Sequence, residues 1–348
     1  MSSALIRSAS LTHYVEVAQS VGLDPYRMLA DVDLSVRALS EPDLQIPVER
    51  VGLLLERSAQ ASGVEAFGLR MAESRQLSNL GAVGMLIRDQ RTLRDSINLL
   101  VRYLSTLNGA MSMMIEEADG IAIIREEVST RRSAAARQGI ELAVGVLVTL
   151  MRRFLGAHWQ PRRVCFSHAP PRDLNTHLRI LGPHVEFSQE FNGVIFSSAE
   201  LDAVNTNADP AMARYAQQLL DAMPQSQAVS IQEDIRRVAL LLLPSGRCSM
   251  EQISQHLGLV CRTVQRRLAD EGTSFSDLIN QLRVDLAERH VNASDRPLTD
   301  VAALLGFSAP SGFSRWYQAQ FGCSPSQARA RARACPDEPK LEPNRAHG

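Results

Sequence analysis

The 348-residue sequence predicts two domains of different class: an α+β domain in residues 1–223, followed by an all-α domain in residues 230–333. Short β-patterned runs cluster between Met111 and Ser198, set among helical stretches. Beyond Ser230 the patterned segments all carry a helical period, and the breaks between them are brief. Between the two regions, Pro224-Gln225-Ser226-Gln227 is short, polar and rich in breakers, so 224–229 reads as a linker. The final stretch, 334–348, carries three prolines and mixed charge, and reads as a disordered tail.

Composition sets broad bounds. Apolar residues make up 45% and charged residues 22%, the balance of an ordinary globular protein long enough for two cores. The formal net charge is −1, so any basic surface must be local. The basic residues are almost all arginine, and Lys340 is the only lysine. Because this bias runs through both halves, it reads as a trait of the genome. The five cysteines, Cys165, Cys248, Cys261, Cys323 and Cys335, are scattered and never spaced as CxxC. That argues against a disulfide framework and a structural zinc site, and fits a cytoplasmic protein. Met1–Thr12 shows no signal-peptide pattern. The most apolar run, Ile140–Leu150, contains Glu141 and reads as a buried helix far short of a membrane span.

In chain order, a helix is expected over Ser10–Leu29, followed by a segment punctuated by Pro and Asp through Pro47. Val48–Ser62 repeats Val51, Leu54, Leu55 and Ala59 at helical spacing. Leu80–Ile87 and Leu93–Leu107 continue the helical pattern. Met111–Glu117 and Ile121–Val128 suit strands, joined by a hairpin turn at Ala118-Asp119-Gly120. A long helix is expected over Ala134–Leu155. A strand at Arg163–Ser167, a helix at Leu174–Leu181, and strands at Val185–Ser188 and Gly193–Ser197 follow, with Asn192-Gly193 as the turn between the last two. Helix returns over Pro210–Met223.

The last hundred residues contain a weak internal repeat with a step of about fifty residues. In the first copy a helix over Met250–Leu257 is broken by Gly258 and followed by a helix over Cys261–Ala269. In the second, Leu298–Leu305 is broken by Gly306 and followed by Pro310–Ala319. Ile253 matches Val301, Leu257 matches Leu305, Arg266 matches Arg315, and Gly272 matches Gly322. Helix, glycine turn, helix is the hairpin whose second helix enters a DNA major groove. In the first copy Val260, Val264 and Leu268 would face the core, leaving Arg262, Gln265 and Arg266 on the opposite face. Arginine can grip guanine and glutamine can grip adenine, so this is a base-reading pattern. In the second copy Phe313 and Tyr317 would pack inward, with Ser311 and Arg315 outward. Pro310 suits a first helical turn, Ser308 an N-cap, and Ser311 a phosphate contact. Between the copies, Ser274–Val291 reads as one amphipathic helix holding the two heads apart, so that both could enter successive grooves on one side of the duplex. Gln232–Arg333 carries 13 arginines and 10 acidic residues, a weakly basic balance for a DNA binder.

These residues resemble the AraC/XylS transcription regulators. The resemblance rests on Arg262-Thr263-Val264-Gln265-Arg266-Arg267-Leu268, Glu271-Gly272-Thr273-Ser274-Phe275, Leu305-Gly306-Phe307-Ser308, Phe313-Ser314-Arg315-Trp316-Tyr317 and Phe321-Gly322-Cys323-Ser324-Pro325. It implies an all-α DNA-binding domain with two helix-turn-helix motifs, and transcription activation. It places DNA contacts on Arg262, Thr263, Gln265 and Arg266, and on Pro310, Ser311 and Arg315 in the second head. Pro310 departs from the pattern, since its side chain offers no hydrogen bond. The N-terminal region is similar to the sensor half of ornithine-utilisation-type regulators, through Phe67-Gly68-Leu69-Arg70-Met71-Ala72, Leu80-Gly81-Ala82-Val83-Gly84, Val101-Arg102-Tyr103-Leu104, Pro161 to Pro170 and Val185-Glu186-Phe187. That implies effector binding or dimerisation, with ligand residues unknown. It does not resemble the cupin-like sugar pocket of the arabinose regulator.

Other constellations carry less. Cys165, His168, His177 and His184 fit no metal template. Gly81 and Gly84 lack the lysine of a phosphate loop. Met111, Met113 and Met114 could line an adaptable pocket or simply fill a strand core. Arg267, Arg329, Arg331 and Arg333 read as solvated charge or phosphate contacts. No hydrolase or metalloprotease motif stands out, so no enzyme, cofactor, metal or membrane partner is expected. The expected partners are double-stranded DNA, RNA polymerase, a small-molecule effector and a second copy of the chain. Two alternatives stay open: a regulator controlled by abundance or a protein partner, and a ligand-binding or catalytic N-terminal domain with DNA binding secondary.

Overall fold

The computed structural model describes residues 4–128, 137–222, 230–292 and 296–334. The expected linker, and the tail apart from Ala334, lie outside them. The chain forms two compact units, Met1–Ala228 and Val229–Gly348.

The first unit is α+β. Its five-stranded sheet is built from β3 (Met111–Ala118), β4 (Ile121–Val128), β5 (Arg163–Cys165), β6 (Val185–Glu186) and β7 (Asn192–Ser197), in the order β3-β4-β7-β5-β6. All pairings are antiparallel except β5 with β6. A smaller antiparallel pair, β1 (Leu5–Arg7) and β2 (Gln45–Pro47), was not expected from the sequence, since each strand is only three residues long. The β3–β4 turn falls at Asp119-Gly120, both with positive φ, as a two-residue hairpin requires.

Asn192-Gly193, expected as a turn, instead begins strand β7. A Cβ at Gly193 would stand 2.0 Å from the Ile124 carbonyl oxygen, so glycine is there for close strand approach. The Asn192 side chain accepts from Ser167 N at 2.7 Å and donates to Glu127 at 3.1 Å, stitching β7 to the neighbouring chain.

Among the described residues the unit also holds ten α-helices. The expected single helix over Ser10–Leu29 is instead a 3-10 turn at Ser8–Leu11, then α1 (Tyr14–Ser20) and α2 (Pro25–Ala30). The break follows from Pro25, which starts a new helix at its first position, with Asp24 capping Tyr26 N at 2.9 Å. Then come α3 (Val48–Ser62), α4 (Phe67–Glu73), α5 (Ala82–Arg88), α6 (Leu93–Leu107), α7 (Arg137–Leu155), α8 (Asn175–Leu181), α9 (Ser198–Leu201) and α10 (Pro210–Ala222). The core gathers Leu54, Leu55, Phe67, Leu69, Met71, Ile97, Val144, Val148, Phe166 and Phe196 between sheet and helices. Helix α7 is the buried one that its composition implied, and α4 and α3 pack along it.

Within that core Glu141 stands beside three basic side chains. Arg137 Nε donates to it at 3.1 Å, while His177 Nε2 and His168 Nε2 lie 3.2 and 3.3 Å away. Burial holds the His168 imidazole below its ordinary value against the attraction of Glu141. Cys165 is buried in β5 and His184 is exposed, so these four residues do not form one cluster.

The second unit is all-helical: α11 (Ile231–Leu242), α12 (Met250–His256), α13 (Cys261–Asp270), α14 (Phe275–Asn292), α15 (Leu298–Leu304), α16 (Pro310–Phe321) and α17 (Pro325–Ala334). Helix α14 joins the two helix pairs. Its buried residues Leu278, Ile279 and Leu282 lie in its N-terminal half, and Val284, Ala287 and Val291 join the core of the second pair. The apolar stripe therefore shifts around the helix midway, because each half packs on a different partner.

Candidate nucleic-acid interface

Two helix pairs, α12–α13 and α15–α16, share one backbone design. In the first turn Leu257, Gly258 and Leu259 amides donate to the Ile253, Gln255 and Ser254 carbonyls at 3.0, 3.1 and 2.9 Å. In the second, Leu305, Gly306 and Phe307 donate to Val301, Ala303 and Ala302 at 3.1, 2.8 and 3.0 Å. Gly258 and Gly306 take φ +64° and +73°, the left-handed conformation that glycine adopts without steric cost. The repeat in the sequence is thus a repeat of hydrogen bonds.

Helix α13 is anchored by few residues. Val264 and Leu268 are buried. Val260, expected inward with them, is 68% exposed: it is the N-cap, in extended backbone, and does not share the face set by the helical period. Arg262, Gln265 and Arg266 are exposed, and make no side-chain hydrogen bond to another described residue. Thr263 is half-buried. The three long polar side chains therefore stand on one side of the helix, opposite Val264 and Leu268, with their donors free for an external partner.

Helix α16 is held differently. Phe313, Tyr317 and Phe321 are buried, and Trp316 is half-buried with its indole donating to Asn280 Oδ1 at 2.7 Å. Tyr317 and Phe321 stack at 4.3 Å, and Phe307 lies 5.4 Å from Trp316. Pro310 occupies the first helical turn and is exposed, as are Ser311 and Arg315. Arg315 Nε reaches back to the Ser311 carbonyl at 3.4 Å. Ser308, expected as the cap, is displaced by Ala309, which makes no side-chain cap bond. The insertion of Pro310 supplies the start signal instead.

Several residues support these helices through contacts that the sequence did not reveal. Glu271, just beyond α13, accepts from Ser230 Oγ at 2.5 Å and Ile231 N at 3.0 Å, tying the end of α13 to the start of α11. Burial pushes its carboxyl up, but the bonds from Ser230, Ile231 and Gln232 outweigh that and hold it below its ordinary value. Arg283 on α14 donates to the Leu305 carbonyl at 3.0 Å and lies over the Phe307 ring at 5.0 Å, so it fixes the second turn. Arg329, expected as solvated charge or a phosphate contact, donates to the Val291, Arg296 and His290 carbonyls at 3.0, 2.5 and 3.1 Å. It caps the C-terminal end of α14, where free carbonyls and the helix dipole favour a cation. No periodicity marks these residues, because their partners lie distant in sequence.

Comparison with known proteins agrees with this geometry. Residues 22–204 match the family model described as the arabinose-binding domain of AraC transcription regulator, N-terminal, and residues 253–331 match a helix-turn-helix domain. The chain belongs to the AraC family of transcription regulators. It is 29% identical to the HTH-type transcriptional regulator VirS of Mycobacterium tuberculosis over 329 residues, covering 94% of this chain and 97% of that one. It is 28% identical to the Ornithine utilization regulator of Pseudomonas aeruginosa over 240 residues, 68% of this chain and 70% of the relative. Among solved structures, that of the transcriptional regulator CdpR from Pseudomonas aeruginosa covers 88% of this chain and 98% of its own, at 18% identity and a TM-score of 0.43. This AraC-family regulator is thus a DNA-binding protein with an N-terminal α+β domain and a helical helix-turn-helix region. Among the described residues no helix is long and apolar enough to cross a membrane.

Proposed function

We propose that this AraC-family regulator is a sequence-specific activator in which α13 reads bases through Arg262, Gln265 and Arg266, with Thr263 beside them. Helix α16 contributes a second contact through Pro310, Ser311 and Arg315, weighted toward phosphate. The single observation that carries this reading is the exposed, hydrogen-bond-free trio on α13, set on a turn that the second pair repeats bond for bond. Free guanidinium and amide groups on one helix face are what guanine and adenine edges demand in the major groove.

The N-terminal unit, in this proposal, is the effector-sensing and dimerisation domain, joined through the linker 224–229 to the DNA-binding domain. A small molecule bound there shifts the population of states that occupy the promoter and engage RNA polymerase in the cytoplasm. The weakly basic balance of the second unit makes base contacts and a second copy of the chain important to affinity.

Selection of bound fragments from genomic DNA tests the reading. Wild type should enrich a site spanning two successive major grooves, and salt-titrated affinities should then separate base contacts from phosphate contacts. If no sequence is enriched, and Arg266→Ala and Arg315→Ala match wild type at low salt, DNA reading by these helices is wrong.

A further inference from the structure

The N-terminal unit contains a partly open cavity of about 170 Å³, bordered by α3, α6, α7, β3, β4, the segment around β1 and the stretch from Arg75 to Leu80. Most of its wall is apolar, with Val51, Leu55, Leu104, Met113, Leu142 and Val146 contributing. Met111 and Met113, weighed in the sequence as pocket or core, both border it, whereas Met114 does not.

Three polar side chains in this wall carry buried atoms without a hydrogen-bond partner. Glu126 on β4 is 1% exposed, and neither of its carboxyl oxygens makes a hydrogen bond. Arg75 is 7% exposed; two of its nitrogens donate to the Ala9 carbonyl, at 2.6 Å, and the Ser10 carbonyl, while Nε is unbonded. The buried Ser10 Oγ is likewise unbonded. Arg75 is bonded to the Ser10 carbonyl, and both residues line the cavity.

Unsatisfied buried polar groups are rare and costly, and a carboxylate more so than a hydroxyl. The same domain shows a different solution at Glu141, which has three basic side chains within ion-pair distance, Arg137, His168 and His177, although its second carboxyl oxygen makes no hydrogen bond. Glu126 has no such neighbours among the described residues, and it borders empty space. A single water would satisfy it poorly, since a buried water needs two to four polar partners and this wall is mainly apolar.

Charge then selects the ligand. Arg75 has no acidic partner among the described residues, and burial alone lowers its guanidinium to about 10, which leaves it charged at neutral pH. Burial alone pushes the Glu126 carboxyl up to about 8, so at neutral pH it is mostly protonated and uncharged. The two form no hydrogen bond with each other. The cavity thus holds one uncompensated cation and, apart from it, a neutral carboxyl able to donate or accept. Its volume is close to the roughly 150 Å³ of a cavity known to admit benzene.

We propose that this cavity is the effector site, and that the effector is a small monocarboxylate with an apolar ring or short chain. Its carboxylate accepts from Arg75 Nε and Ser10 Oγ, and a hydroxyl or carbonyl at its far end pairs with Glu126. The effector role rests on reading the N-terminal unit as a sensor; the binding site does not. Occupancy would reinforce the Arg75 clamp on Ala9 and Ser10, and so order the segment between β1 and α1.

The test uses the full chain, with benzoate, para-hydroxybenzoate and hexanoate as probes and benzyl alcohol and benzylamine as uncharged and cationic counterparts. Calorimetry should show the carboxylates binding at least about tenfold more tightly than either counterpart. Ser10→Ala should weaken all three acids, and Glu126→Gln should weaken para-hydroxybenzoate about tenfold relative to benzoate. Ala143→Phe, which fills the cavity from α7, should abolish binding while circular dichroism and DNA affinity stay at wild-type values. Arg75→Lys is a weaker probe, because Arg75 also holds the fold. Absence of binding by all three acids overturns the ligand class, as does preference for benzylamine. Binding that survives Ser10→Ala, Glu126→Gln and Ala143→Phe overturns the site. A carboxylate that binds with the expected sensitivity yet leaves promoter occupancy unchanged keeps the site and overturns the sensor reading. A promoter response to a different class of molecule keeps the sensor reading and overturns this assignment.

Discussion

The two helix-turn-helix heads have matching turns but spend their second helices differently. In α13 two aliphatic residues, Val264 and Leu268, suffice to seat the helix, and three long polar side chains face outward unbonded. In α16 a cluster of Phe307, Phe313, Trp316, Tyr317 and Phe321 does the seating, and the outward face offers one proline, one serine and one arginine. A shared backbone thus leaves room for a division of labour, with one head suited to reading and the other to holding. The buried aromatics make the second head the more expensive one to disturb.

The largest expected effect lies there. Phe313→Ala removes a fully buried ring and should destabilise the C-terminal unit by about 3–5 kcal/mol, measured by urea unfolding of the full chain followed at Trp316. Loss of less than about 1 kcal/mol would mean that the aromatic cluster does not carry the head. Next comes Arg266→Ala, expected to cost about 1–3 kcal/mol in specific DNA affinity and to relax one base position, with unfolding unchanged. Its counterpart Arg315→Ala should weaken binding by a similar amount for all sequences and reduce the salt slope by about one. If Arg315→Ala instead relaxes a base position, the second head reads sequence and the contrast between the heads fails.

The smallest effect concerns Glu271, whose carboxyl is held below its ordinary value by hydrogen bonds. Folding favours its charged form, so the stability it adds is present above the ordinary carboxylate value and lost as pH falls through the folded one. Unfolding midpoints across acid pH should therefore decline less steeply in Glu271→Gln than in wild type. An unchanged slope would remove Glu271 from the link between α13 and α11.

Much of the second unit was legible beforehand because helix periods and glycine turns are local signals. The expected helices fall within two residues of the observed ones, and Gly258 and Gly306 do what their positions implied. Val260 was misread because the helical period was carried one residue back from the helix onto the N-cap, where the backbone is extended. In the N-terminal unit the β3–β4 hairpin was legible from alternation and its turn. Asn192-Gly193 was not, since the same dipeptide serves a turn or a close strand approach, and only the neighbouring strand distinguishes them. Arg329 was misassigned for a related reason: an arginine that caps a helix from outside it looks, in sequence, like any solvated arginine.

The sequence by itself determined the class of each domain, the twofold repeat and the polar face of α13, because all three depend on residues within a few positions of one another. Tertiary structure alone decided that Glu126, Arg75 and Ser10, separated by up to more than a hundred positions, share one cavity, and that Glu141 has basic neighbours where Glu126 has none. Burial and hydrogen-bond partners are properties of the packed core, and no local pattern of residues encodes which buried carboxyl is left facing empty space.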